Sequence, residues 1–591
     1  MTSIGGYAFE HCSGLTSITI PGSVTSIGHE AFYYCNNLTC ITVETDNRNY
    51  ASQDGILYNK AKTEFIHIPA AIQGAVTIPN GVTSVGDSAF SGCSGLTSIT
   101  IPDSVRSIGK LAFNGCSQLV SISIGAGVNV IGGDAFEACN ALNSVYITDL
   151  SAWCNIEFNN NPLLYGAKLY LNGQTLKDEV ILPNTVTALG NYALLGCNEI
   201  TALVIPDSVK TVGYMALSGC SALKSLTIPF VGSSLKINEE DTRYPFGYIF
   251  GSYRYEGGVE VKQWSSSGNK TYQVTYYVPA TLKKVTVLGG NLNFSSFDDC
   301  NMIEELTVGE DVVGIDGNAI RELDGLKTVY WNATYCVFNE SNYTFNPAIK
   351  YVNADLIIGG NVKQIPARAF YGWIGLRNVT IPDSVEGIGQ HAFYDCGQSV
   401  NYNEYNNGLY LGNPNNPYMI LVKTTSTDIT SLIVHDKTTI ILYDAYSNCN
   451  NLQYTEYGNA LYLGSETNPY KVLVKAVNTD IESCSINEQT EIISYGAFWG
   501  CRNLTHINIP DRVRTISHYS FTDCTGLQEI SVGASVKFIG DFSLAGNVAL
   551  TRISFSGSKA QWLAIAKGEL WNNGSGLYII ICSDGELQIG I

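Results

Sequence analysis

One unit of the chain reads LTSITIPDSVRSIGKLAFNGC over residues 96–116. Its Ala-Phe pair recurs at the same interval on either side, so that Phe90, Phe113 and Phe136 are evenly spaced. Where this interval is not kept, a longer segment separates two anchors, and the regular interval then resumes. Fifteen anchor positions share this phase: Phe9, Phe32, Phe90, Phe113, Phe136, Leu194, Leu217, Phe297, Ile320, Phe370, Phe393, Tyr446, Phe498, Phe521 and Leu544. The chain is therefore a tandem repeat of short supersecondary units.

The first half of the unit predicts a short strand that ends in a turn. Alternation buries Ile99 and Ile101 and exposes Ser98 and Thr100. Pro102 has no N–H group to contribute to a sheet, so it belongs where the strand ends.

The second half of the unit predicts the turn. Gly109 permits a backbone conformation that other residues avoid, and it is expected to start a short helical turn. Ala112, Phe113 and Cys116 would share the inward face of that turn. Since one turn buries too little apolar surface to fold alone, neighbouring turns must stack into a quasi-one-dimensional array.

This pattern of Ile-Pro-Asp-Ser-Val, Ile-Gly, Ala-Phe, Cys and Leu resembles the BspA-like, or treponemal-type, leucine-rich repeat surface protein family. The resemblance extends over nearly the whole chain. It implies a bacterial or protist protein, secreted or exposed on the cell surface, that attaches to matrix proteins, host cells or other microbes. We expect residues 1–591 to form a single leucine-rich-repeat solenoid. One long parallel β-sheet would form its concave face, and short helical or irregular turns with β-hairpin insertions would complete it.

The composition narrows the function. Hydrophobic residues make up 45% of the chain, charged residues 14%, and the net charge is −19. A nucleic-acid-binding surface needs clustered Lys and Arg, which are missing. No apolar run approaches the roughly 18 residues of a membrane-spanning helix. We therefore expect no nucleic-acid partner and no membrane insertion, and we also expect a monomer.

Two long repeats, 397–443 and 450–490, contain matching segments, and each predicts a β-hairpin. Residues 47–68 resemble them. The chain begins inside a repeat and stops near Leu587, so we expect both ends to be truncated.

The largest departure is an aromatic-rich insertion at residues 230–280. Alternate aromatic residues there are explained either by packing of a hairpin on the solenoid or by ligand contact. The candidate ligand contacts are Tyr244, Phe246, Tyr248, Phe250, Tyr253, Tyr255 and Trp264.

The exposed strand positions give a second candidate surface. Early repeats offer only Ser and Thr there, whereas later repeats are more varied. The candidate ligand contacts are Arg377, Asn378, His506 and Asn508. The alternative is that these polar residues only keep the face soluble and bind no ligand.

The sequence motifs do not support catalysis or metal binding. Twelve of the 17 cysteines lie three residues after an anchor, which predicts a buried column of reduced thiols. His29 and Glu30 read as a surface pair, and no zinc, calcium or nucleophile motif occurs. No cofactor is expected.

These patterns predict a non-catalytic extracellular or cell-surface recognition and adhesion protein that binds a host or microbial protein or glycan. The alternatives are a structural spacer rod that displays another domain, and the non-catalytic portion of a larger secreted enzyme.

Overall fold

The structure is a computed structural model. It describes residues 1–28, 30–234, 242–267, 270–293, 295–315, 319, 323–334, 336–338, 353–396 and 400–588. The chain divides into two compact units, Met1–Ile303 and Glu304–Ile591. Each unit is a β-solenoid of short coils that stack as in leucine-rich-repeat proteins, with a typical coil of about 23 residues. His29, the anchor Ile320 and parts of two predicted insertions, 235–241 and 397–399, lie outside the described residues.

A regular coil holds a first strand, a two-residue second strand and a turn. In the first unit the first strands are Ser17–Ile20, Cys40–Val43, Gln73–Thr77, Gly95–Ile101, Ser121–Ile124, Ser144–Ile147, Lys168–Leu171, Lys177–Ile181, Glu199–Val204, Ser225–Ile228 and Lys284–Leu292. The second strands are Ser3–Ile4, Ser26–Ile27, Ser84–Val85, Ser107–Ile108, Val130–Ile131, Glu157–Phe158, Ala188–Leu189 and Thr211–Val212. The remaining strands are Tyr50–Gln53, Ile56–Asn59, Glu64–His67, Gln174–Thr175, Thr242–Arg243, Gly258–Ser267 and Lys270–Pro279.

The second unit repeats this plan. Its first strands are Glu305–Ile315, Thr328–Trp331, Ala354–Ile358, Leu376–Thr380, His506–Ile509, Glu529–Val532, Arg552–Phe555 and Ile579–Cys582. Its second strands are Val337–Phe338, Gln364–Ile365, Gly387–Ile388, Ile440–Ile441, Ile492–Ile493, Thr515–Ile516, Phe538–Ile539 and Ala566–Lys567. The remaining strands are Asn403–Tyr405, Gly408–Asn413, Asn416–Thr424, Thr455–Tyr457, Ala460–Leu463, Val472–Ala476 and Gly585–Gln588. First strands pair with first strands in parallel, as Ile99 with Ile122.

The turns after the second strands are irregular rather than helical. The described residues contain two α-helices, Leu150–Cys154 and Lys559–Ala564, and two 3-10 helices, Pro162–Tyr165 and Phe246–Ile249, and none of the four forms a regular Ala-Phe turn. The N–H groups of Ser88, Phe90 and Gly92 instead donate to carbonyls of the next coil at 2.7–2.8 Å. Because these donors bond between coils, no helical ladder forms within the turn.

Gly109 serves a different purpose from the predicted one. The left-handed residues of its turn are Leu111 (φ 56°) and Gly115 (φ 73°). A Cβ atom on Gly109 would instead lie 2.6 Å from the backbone nitrogen of Asp87 and 2.7 Å from the carbonyl carbon of Gly86. The glycine of the Ile-Gly pair therefore allows consecutive coils to approach closely.

The anchor side chains form the core. The Phe90 and Phe113 rings stack at 4.9 Å, and those of Phe113 and Phe136 at 5.4 Å. All three rings are fully buried. Leucine takes the same buried position at Leu194, Leu217 and Leu544.

The cysteine column is buried with one exception. Cys12 is exposed, against the prediction, while the other eleven in-phase cysteines are buried. Their thiols do more than pack, because the Cys116 thiol donates to the carbonyl of Phe90 at 3.2 Å and the Cys524 thiol to that of Phe498 at 3.0 Å. Burial raises the pKa of Cys524 to about 12, so this thiol stays protonated at neutral pH.

In three layers of the solenoid a β-hairpin strand takes the place of the second strand, and the turn that follows it is shorter. Between Val85 and Phe90 lie four residues, whereas between Phe65 and Ile68 lie two. Ile68 nevertheless takes the place of an anchor, because its N–H donates to the Ala89 carbonyl at 2.8 Å. The strands Asn416–Thr424 and Val472–Ala476 enter their layers in the same register, with Leu421 opposite Ile441 and Leu473 opposite Ile493.

His67 lies in the first shortened layer and makes folding sensitive to acid. Its side chain packs against Phe32, and its Nε2 atom is buried with no hydrogen-bond partner among the described residues. Burial lowers the pKa of His67 from 6.5 to about 4. Between these pH values the unfolded chain takes up a proton that the folded chain does not, so stability falls as the pH falls.

We expect His67→Leu to remove this loss of stability at low pH. Relative to the wild type, the variant should gain about 2–3 kcal/mol of unfolding free energy between pH 7 and pH 4.5. Urea unfolding at both pH values measures the difference, with the exposed His506→Gln as the control. Parallel pH profiles for wild type and His67→Leu would contradict the assignment.

Candidate interaction surfaces

The aromatic insertion contains an antiparallel hairpin of strands Gly258–Ser267 and Lys270–Pro279, here called the aromatic hairpin. A buried glutamine fixes it to the first unit. The Gln263 Oε1 atom accepts from the Gly247 N–H at 2.7 Å, and its Nε2 donates to the Asp298 carbonyl at 2.9 Å. The hairpin is therefore held by internal hydrogen bonds as well as by apolar packing.

Both edges of the aromatic hairpin are also bonded. The N–H of Lys262 donates to Asp299 Oδ2 at 3.0 Å, and that of Trp264 donates to Ser295 Oγ at 2.9 Å. On the other edge the N–H of Tyr277 donates to the Gly251 carbonyl. These bonds fix the hairpin to the first unit on both sides, which leaves its outer face toward solvent.

That outer face follows from strand alternation. Val261, Gln263 and Ser265 are buried, so the intervening residues of the strand point away from the core. The outer face comprises Glu260, Lys262, Trp264, Gln273, Thr275 and Tyr277. Lys262 and Glu260 form an exposed ion pair at 3.6 Å, which is worth little to stability.

Two of the predicted ligand contacts are core residues. Phe246 and Phe250 are fully buried, and Phe246 packs on the anchor Phe297 at 5.0 Å between ring centroids. The expectation of ligand contact is wrong for both, because the solenoid core takes the inward side of this segment. Tyr255 is also tied down, since its hydroxyl donates to the Tyr277 carbonyl at 3.1 Å.

The other predicted aromatic residues reach the surface. Tyr253 is 68% exposed. Tyr244 stacks on Tyr248 with 4.1 Å between ring centroids. Tyr244 and Trp264 also line a small cavity of about 140 Å³, together with Ser265, Ser266, Thr271 and Asn293. The structure thus places Tyr244 and Trp264 at one concave spot, which apolar anchors of a partner could fill.

The sheet-face candidates lie in the second unit, on two different sheets. Arg377 and Asn378 both contact Asp355, at 3.4 Å and 2.9 Å, and Asn401 donates to Asn378 at 2.8 Å. Most of the polar groups on this strand are therefore already paired.

His506 and Asn508 are exposed on one strand. His506 Nδ1 lies 3.1 Å from the Thr505 hydroxyl. In register beside it follow Glu529 and Arg552, whose charged groups are 3.9 Å apart. This face is polar and more varied than the Ser and Thr face of the first unit.

The sequence analysis did not single out one aromatic pair at the surface, in which Tyr146 is exposed and Tyr170 half-buried. Tyr146 and Tyr170 stack at 5.1 Å on the sheet face of the first unit, where the neighbouring coils present Ser123 and Thr100. Aligning the outward strand positions of SVYI at 144–147 and KLYL at 168–171 would have revealed it.

Within the described parts of the chain, no group of three or more His, Cys, Asp or Glu side chains could hold a metal ion. The helices that the structure describes include none long and apolar enough to cross a membrane.

Comparison with known proteins gives a family match. The family model described as "BspA type Leucine rich repeat region" matches in six copies, over residues 1–75, 71–165, 166–240, 282–401 and 477–566. These ranges cover about three quarters of the chain. No curated protein matches it.

Solved bacterial leucine-rich-repeat proteins are similar as well. One from Eubacterium ventriosum is 22% identical, with 55% of this chain and 62% of that chain covered and a TM-score of 0.26. One from Bacteroides ovatus is 18% identical, with 90% and 97% covered and a TM-score of 0.24. A leucine-rich cell surface protein from Faecalibacterium prausnitzii is 18% identical, with 96% and 86% covered and a TM-score of 0.18. The chain thus spans less than two thirds of the first of these structures.

Proposed function

Because the chain belongs to the BspA-type leucine-rich-repeat family, we propose that it is a recognition and adhesion protein outside the cell. Proteins of this family are generally non-catalytic interaction scaffolds. The proposed partner is a protein or glycan of a host matrix, a host cell or another microbe. The contact would be made through an extended surface rather than one deep pocket.

The observation that carries the proposal is the docked aromatic hairpin. Its outer face holds Trp264 and Tyr277, and Gln263 fixes its inner face. A rigid aromatic surface binds a partner with little loss of side-chain entropy. The cavity of about 140 Å³ beside Trp264 adds a place for an anchoring group.

The buried cysteines are compatible with a location outside the cell. Burial raises the pKa of Cys93, Cys197 and Cys396 to about 12. Oxidation proceeds through the thiolate and needs access, so such thiols resist an oxidising compartment.

Surface plasmon resonance of the whole chain over fibronectin, laminin, collagen and mucin tests the proposal. Trp264→Ala is expected to weaken the binding it detects by about thirtyfold, as hot-spot aromatic residues do. The matched control is Trp499→Ala, because Trp499 is a 47% exposed tryptophan of the other unit. Equal effects of the two substitutions, or no binding to any of the four, would refute the proposal.

A further inference from the structure

The shortened hairpin layers leave clefts between the turns that flank them. In the layer of strand Asn416–Thr424, only two residues separate Leu421 from the anchor position, whereas a regular turn has four residues there. The flanking turns, Gly389–His391 and Leu442–Asp444, therefore face each other across an unfilled space. A cavity of about 470 Å³ lies there. The first shortened layer has a similar cavity, of about 440 Å³, bordered by Glu30, Glu64 and Asp87.

The third shortened layer shows that such a space can be filled. There the flanking turns carry Tyr443 and Tyr495, whose rings meet at 4.2 Å. In the second layer Gln390 holds the position that corresponds to Tyr495, and the Tyr443 ring centroid lies 5.1 Å from that of His391 instead.

The wall of the second cleft is held in place by distant residues. His518 Nε2 donates to the Ile388 carbonyl at 2.9 Å, and the Asp541 N–H donates to His518 Nδ1 at 2.8 Å. The Gln390 N–H donates to Asp541 Oδ2 at 3.0 Å. His518 and Asp541 are both buried, so this wall exists before any ligand arrives.

The lining combines ring faces with groups that donate and accept hydrogen bonds. Tyr394, Tyr402 and Tyr443 supply rings, Lys423 supplies donors, and Asp444 supplies acceptors. The Lys423 ammonium lies 4.9 Å from the centre of the Tyr402 ring. A pyranose has apolar C–H faces that cover aromatic rings and hydroxyl groups that both donate and accept, so it matches this lining.

Charge narrows the ligand further. The lining holds one lysine and two carboxylates, Asp395 and Asp444. Burial lowers the pKa of His391, which keeps its imidazole neutral at pH 7. Arg368 lies close enough to contribute to this lowering, so Lys423 and Arg368 balance the two carboxylates and the site favours a neutral sugar over a charged one.

We propose that this cleft binds one neutral pyranose residue of a glycan. The inference rests on the proposed recognition function in taking a glycan as partner, but it uses residues remote in sequence from the aromatic hairpin. If binding at one of these two sites is refuted, binding at the other can still be tested separately.

The test uses the whole chain with D-glucose, D-galactose and N-acetyl-D-glucosamine as probes. Saturation-transfer NMR detects binding, and titration calorimetry measures it. Lys423→Met is expected to weaken binding at least tenfold, because it removes charged donors and keeps the side-chain stem.

Lys475→Met is the matched control. Lys475 stands at the equivalent position of the third layer, 5.8 Å from the Tyr454 ring, where the tyrosine pair fills the gap. This control and Trp264→Ala should both leave sugar binding unchanged. The proposal is overturned if none of the sugars binds at millimolar concentration. Equal effects of Lys423→Met and Lys475→Met would overturn it too, as would binding of putrescine in place of the sugars.

Discussion

Replacing Phe113 by alanine is expected to lower the free energy of unfolding by about 3–5 kcal/mol. The ring is fully buried between those of Phe90 and Phe136, and its removal leaves a cavity that the stacked coils cannot close. Phe113→Leu should cost only about 1 kcal/mol, because leucine already fills this position at Leu194 and Leu217.

Urea unfolding of both variants measures the difference, and hydrogen exchange locates it. Loss of protection should be largest in the coils next to residue 113, since coils couple mainly to their neighbours. If alanine and leucine proved equally costly, the anchor column would not be the core that we describe.

Replacing Gly132 by alanine is expected to cost about 3 kcal/mol, whereas the same change at Gly133 should be almost neutral. A Cβ atom on Gly132 would lie 2.6 Å from the carbonyl carbon of Gly109, and the backbone there cannot yield without separating two coils. A Cβ atom on Gly133 meets nothing within 4 Å.

The two substitutions are at adjacent positions and chemically identical. Their thermal unfolding midpoints therefore isolate the close approach of the coils from the general effect of losing a glycine. Equal midpoints would mean that consecutive coils do not depend on the contact at Gly132.

The repeat and its core could be predicted because they rest on local patterning. Alternation places Ile99 and Ile101 inside, and the constant repeat interval brings Phe90, Phe113 and Phe136 into one column. Each of these features is repeated many times, so the pattern identifies them without knowledge of long-range contacts.

The role of Gly109 could not be predicted in the same way. A glycine is needed there because a Cβ atom would lie 2.6 Å from the backbone nitrogen of Asp87 in the preceding coil. Sequence spacing alone does not reveal this close approach. The turn likewise looked helical from the spacing of Ala112, Phe113 and Cys116. Alternate N–H groups of the turn, those of Leu111, Phe113 and Gly115, bond to the next coil instead, which only the stacked structure reveals.

The candidate surfaces show the same division. The concentration of aromatic residues at 230–280 drew attention to the segment, but Phe246 and Phe250 are core residues while Trp264 lies on the outer face. The cleft near Lys423 depends on two missing residues in one layer, and a deletion of that size is invisible inside an irregular repeat.

Hydrogen exchange of the whole chain, alone and bound to whichever of fibronectin, laminin, collagen or mucin it captures, tests the central claim most directly. The claim is that this solenoid recognises a partner through the aromatic hairpin. We predict added protection in residues 258–279 on binding. Added protection confined to the irregular turns, with residues 258–279 unchanged, would contradict the claim.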